Sequence, residues 1–95
     1  MYYNLEVRKR AVQQIEKSFE FYESRSPALG KRFLATVYKY LEKIKDNPNL
    51  FSIKRNSIRE AYIKDFPFII IYEILGETII IYSIFHTSRN PEKKP

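Results

Sequence analysis

His86 and Arg89, near the end of the chain, and Arg59, well before them, are side chains able to handle a proton and a phosphate. His86 is the only histidine, and imidazole is the group whose ordinary pKa lets it shuttle protons near neutral pH. Arg59 and Arg89 carry planar guanidinium forks that donate paired hydrogen bonds to phosphate oxygens. Cleavage of RNA by its own 2′-hydroxyl needs a base, an acid and stabilisation of the phosphorane charge, so this inventory suffices for ribonucleolytic chemistry without being specific to it. Each residue also has a plainer reading. His86 can cap a strand end, and Arg59 can pair with Glu60, Glu73 or Asp65 or with a terminal carboxylate. Lys54 and Arg55 form a second basic group beside Arg59, suited to contacting a target or to a solvated loop. Tyr62, Tyr72 and Tyr82 fall in strand-like segments, where packing is commoner than base stacking.

Other chemistries are excluded by what the sequence lacks. One histidine and no cysteine give no recognisable transition-metal spacing, the carboxylates form no calcium or magnesium loop, and two glycines give no phosphate-cradling loop. No cofactor and no metal is expected. Zero cysteines also suit a reducing cytosol, and "MYYNLEVRKR" has no apolar leader before its charges. The longest apolar run, "FIIIY" at 68–72, is too short to span a bilayer. A cytoplasmic location without membrane attachment follows as the expectation. Seventeen Lys and Arg against eleven Asp and Glu leave a net charge of +6, with a pI near 9.6. Such a balance draws nucleic acid, ribosomes or acidic proteins.

The elements that must position these residues fit one domain spanning 1–95, with 92–95, including Lys93 and Lys94, as a tail. "YNLEV" at 3–7 alternates as a short strand. From Arg8 to Arg25 the residues Ala11, Ile15, Phe19 and Tyr22, with Val12 beside them, recur at helical steps, leaving Glu16, Lys17, Glu20 and Glu23 off the stripe. Ser26 is a suitable N-cap and Pro27 a suitable first residue for a second helix, running to Asp46 with Leu29, Phe33, Val37, Leu41 and Ile44 on one stripe. So short a connection favours an antiparallel hairpin, and Pro48 stops the second helix. Residues 48–57 read as a polar-to-basic connection. In "SIREAYIKDF" Ile58, Glu60, Tyr62 and Lys64 share one face, and Arg59, Ala61 and Ile63 the other. "PFIIIYEIL" and "TIIIYSIFH" are β-branched and aromatic almost throughout, with turns at 65–67 and 76–77. The result is an α+β fold ordered β-α-α-β-β-β: an N-terminal strand and a helical hairpin packed on a small, mainly antiparallel sheet. Apolar residues on both sheet faces require a second core, a groove or a partner on the far face.

"IREAYIKDFPFIIIYEI", an arginine-bearing strand followed by Phe-Pro-aromatic-x-Ile-x-Tyr, and the terminal "IFHTSRNP", of the form H-x-x-R-[DN]-P, together resemble the RelE/ParE family of bacterial toxins from type II toxin-antitoxin modules. The resemblance covers about residues 3–91. It implies a cognate antitoxin protein, whose C-terminal segment would wrap the helical hairpin and sheet. Two targets occur among such proteins: RelE-like members cleave mRNA on the ribosome, and ParE-like members poison DNA gyrase. Ribosome-dependent members tend to carry either denser catalytic lysines and arginines or a C-terminal His-Tyr pair, whereas His86 here precedes Thr87 and the central strands carry only Glu73. The terminal motif resembles the ParE-like branch, so gyrase inhibition, with no catalytic residue required, is the expected activity. The alternatives are a ribosome-dependent endoribonuclease using His86, Arg59 and Arg89, and a degenerate, non-toxic member. For target binding the candidates are Arg59, His86, Arg89, Lys54 and Arg55.

Overall fold

The computed structural model describes residues 2–87. The two apolar stripes form helices with the expected limits, α1 at Lys9–Arg25 and α2 at Pro27–Asp46. They are joined by Ser26 alone, so they fold back on each other. Ser26 has the extended backbone of a cap residue, but its hydroxyl makes no capping bond, contrary to expectation. Its carbonyl instead accepts from the Leu29 and Gly30 amides. Pro27, locked near helical φ, starts α2 without wasting an amide.

The strands are β1 (Asn4–Val7), β2 (Ile53–Arg55), β3 (Ile58–Tyr62), β4 (Phe68–Leu75) and β5 (Thr78–His86), in the sheet order β1-β5-β4-β3-β2. β1 pairs with β5 in parallel and the other neighbours are antiparallel. β2 departs from the sequence reading, which placed these residues in a connection. Its three residues pair along the outer edge of β3, and Asn56, at φ 50°, turns the chain between them. Gly76 takes φ 62° in the β4–β5 turn, a conformation glycine adopts without steric penalty.

The hairpin covers one face of the sheet. Phe33, Val37 and Ile44 of α2 are fully buried with Ile70 and Tyr72 of β4 and Ile79 and Ile81 of β5. At one end Tyr22, Phe33, Phe66 and Phe68 form an aromatic cluster, with Tyr22–Phe33 centroids 5.2 Å apart and Phe33–Phe68 centroids 5.1 Å apart. On the other face Ile69, Ile71 and Phe85, with Ile58 against them, make a smaller second core, one of the three solutions the two-faced strands required.

A bulge in β5 shapes both faces. Ile71 pairs with Ser83 but Tyr72 pairs with Ile81, so Tyr82 is the extra residue. The disturbed ladder is repaired from α1. Gln14 Oε1 accepts from the Ile84 amide at 2.8 Å and from the buried Ser83 hydroxyl at 3.0 Å. Tyr82 is thereby aimed away from the helices.

Candidate functional site

The sequence candidates among the described residues do not converge on one point. Arg59, on the helix-facing side of β3, donates to the Phe51 carbonyl at 2.6 Å and to Asn49 Oδ1 at 3.1 Å. Its fork therefore pins the loop between α2 and β2, rather than pairing with Glu60, Glu73 or Asp65. Tyr72, its neighbour on β4, donates to the Pro48 carbonyl of the same loop at 2.7 Å. Burial pushes the Tyr72 phenol up to about 12, opposed more weakly by the Arg59 charge and by the Phe51 backbone.

His86 lies at the other end of the sheet. It is paired with Phe68, and its half-buried ring meets the Phe68 ring edge-on at 4.9 Å. Phe68 and Tyr72 are separated by about 13 Å of strand rise, so His86 and Arg59 sit at opposite ends of the helix-facing side. Arg89 is outside the described residues. Lys54 and Arg55 are exposed on β2, where the Lys54 ammonium lies over the Tyr62 ring at 5.6 Å.

What the fold does bring together is a depression of about 480 Å³ on the sheet face away from the helices, lined by Arg8, Arg10, Arg55, Ile58, Ile71 and Tyr82. Arg8 and Arg10 come from the junction of β1 and α1, and Arg55 from β2 at the opposite edge. Arg8 Nε is 2.9 Å from Glu6, and its guanidinium lies over the Tyr82 ring at 5.7 Å. The Arg10 and Arg55 side chains have no hydrogen bond or ion pair among the described residues. Beside the depression Glu73 accepts hydrogen bonds from the Ser57 and Tyr82 hydroxyls. The bond from Ser57, more than that from Tyr82, holds the Glu73 carboxyl below its usual range. The same Glu73 contact raises the Tyr82 phenol, which stays a proton donor at neutral pH. Sequence reasoning missed Arg8 and Arg10: "RKR" at 8–10 reads as the start of a helix, and only its position after an edge strand hints at a site.

A second concavity, about 370 Å³, lies on the helical side and is lined mainly by Val7, Val12, Ile15, Phe19, Leu34 and Tyr38. Its walls are largely apolar, with Glu16 as the charged residue among them, and Tyr38 is 59% exposed on it.

This arrangement has known relatives. The ParE toxin of the type II toxin-antitoxin system parDE matches the sequence over residues 5–91, nearly the whole chain. The chain belongs to the ParE toxin family. A solved structure of a chromosomal ParDE toxin-antitoxin system from P. aeruginosa has the same fold, with a TM-score of 0.79 over 90% of this chain and 96% of that one, at 13% identity. No curated protein matches the sequence. Membership of a toxin-antitoxin family implies an antitoxin partner. Among the described residues no helix is long and apolar enough to cross a membrane, and no three His, Asp or Glu side chains group as metal ligands.

Proposed function

We propose that this ParE-family protein inhibits DNA gyrase in the bacterial cytoplasm by binding and trapping it, and that a cognate antitoxin neutralises it. The family match over residues 5–91 carries this reading. The site geometry supports it over the ribonuclease alternative: Arg59 is committed to two loop oxygens, and His86 packs on Phe68 at the far end of the sheet. Phosphoryl transfer needs its acid, base and phosphate donors within hydrogen-bond reach of one reacting group. Gyrase inhibition by binding needs no such constellation. Target contact then falls to the exposed Lys54 and Arg55, ahead of His86 and Arg59; Arg89, outside the described residues, stays a candidate through its place in the terminal H-x-x-R-[DN]-P motif. On this reading the antitoxin covers the apolar concavity along the hairpin.

The test is a pair of assays on the purified protein. In a gyrase supercoiling reaction, loss of supercoiling or accumulation of cleaved DNA is expected. On programmed ribosomes with end-labelled mRNA, the message should stay intact. Cleavage within A-site codons, abolished by His86→Ala, would instead establish the ribonuclease. Inactivity in both assays would leave a non-toxic, antitoxin-binding member.

A further inference from the structure

The arginine-lined depression is a built feature rather than a scatter of surface charge. Arg8 and Arg10 on one rim face Arg55 on the other, across a floor of Ile58, Ile71 and the Tyr82 ring. Ile71 is 2% exposed, so the floor is firm and apolar. Each rim has guanidinium donors to spare, because the Arg10 and Arg55 side chains bond to nothing else among the described residues and Arg8 uses its Nε on Glu6. The nearby carboxylates are already engaged: Glu6 by Arg8, and Glu73 by the Ser57 and Tyr82 hydroxyls. Guanidinium forks suit phosphate, where they form paired, charge-assisted bonds, and an apolar floor strengthens such bonds by keeping water away. Donors entering from two opposite sheet edges fit an anion that extends across the face, with a sugar or base lying against the floor.

We propose that this cleft holds the sugar-phosphate backbone of a nucleic-acid strand. The proposal goes beyond gyrase inhibition and does not depend on it, since the strand is bound by this protein's own arginines.

The experiment measures anisotropy of a short labelled duplex DNA, the same sequence as single-stranded DNA, and the same sequence as RNA, each titrated with the purified protein at several salt concentrations. Three phosphate contacts predict that log Kobs falls against log salt with a slope of about −2 to −3. The double variant Arg10→Gln/Arg55→Gln should bind at least about tenfold more weakly and lose about two from the slope. Lys31→Gln/Lys39→Gln removes the same net charge from exposed positions on α2 and should leave both quantities unchanged. The proposal is overturned by failure to bind any of the three probes at low salt, by equal losses in the two double variants, or by equal binding of a labelled poly-glutamate chain. Preference among the three probes identifies which kind of strand the cleft takes. No topoisomerase is present, so the outcome is separable from that of the supercoiling assay.

Discussion

Tyr72 and Arg59 show how a residue suited to chemistry becomes a fastener. The strand pattern placed Arg59 on the same face as Ala61 and Ile63, and an arginine on the inward side of a strand must find acceptors. What the sequence did not carry was the path of residues 47–52, which brings the Phe51 and Pro48 carbonyls back over β3 and β4. Loops of this kind are set by tertiary contacts that have no periodicity. Arg8 and Arg10 were hidden for a related reason, since their partner across the cleft, Arg55, is far away in sequence and is brought near only by the folded sheet. Tyr72 gives a test at this scale. In Tyr72→Phe the Pro48 carbonyl loses its buried donor, which should cost about 1–2 kcal/mol at neutral pH. The wild-type phenol, near 10 when unfolded and about 12 when folded, keeps its proton longer in the native state. Its contribution is therefore complete below pH 10 and is lost as pH rises towards 12. The gap between variant and wild type in urea unfolding should narrow over that window. A gap independent of pH from neutrality to 12 would contradict this.

At the scale of elements, both helices were legible to their ends because each buries one continuous stripe. β3, β4 and β5 were legible because β-branched and aromatic runs leave little alternative. β2 was not, since three exposed residues carry no pattern and the strand exists only because β3 offers an edge. The β5 bulge was equally silent, although Gln14 on α1 completes it. The α1–α2 junction holds an unsatisfied polar group: Glu23 Oε1 is buried with no hydrogen-bond partner among the described residues. It occupies the space that glycine leaves at position 30, where a Cβ would lie 2.1 Å from that oxygen. A buried unpaired oxygen costs about 1–3 kcal/mol, and glycine in a helix about 1 kcal/mol relative to alanine. Glu23→Ala should therefore raise stability by about 1 kcal/mol, while Gly30→Ala alone gains little because it must first displace the carboxylate. Together they should exceed the sum of the single changes, a coupling expected of residues in contact. Chemical denaturation of the four proteins measures it, and strict additivity would mean that Glu23 does not hold the space.

The whole molecule carries two unlike surfaces back to back. The arginine cleft lies on the far face of the sheet, and the apolar concavity runs along the helical side, where Tyr38 and Val12 stand 59% and 40% exposed. A small domain has limited interior in which to bury its apolar residues, and a contiguous apolar groove left at its surface marks a place where another chain completes the packing. If the antitoxin lies there, binding should depend on the aromatic that projects into the groove, because aromatic anchors carry a large share of interface energy. Tyr38→Asp puts a charge at that point without entering the core. If the protein inhibits gyrase as proposed, the variant should fold and inhibit it equally, yet need at least about tenfold more antitoxin for supercoiling to recover, the scale of a single hot-spot loss. The assay titrates the protein encoded beside the toxin gene into inhibited gyrase. Unchanged neutralisation of Tyr38→Asp would move the antitoxin off the helical groove, and the sheet face with its arginines would become the surface it must cover.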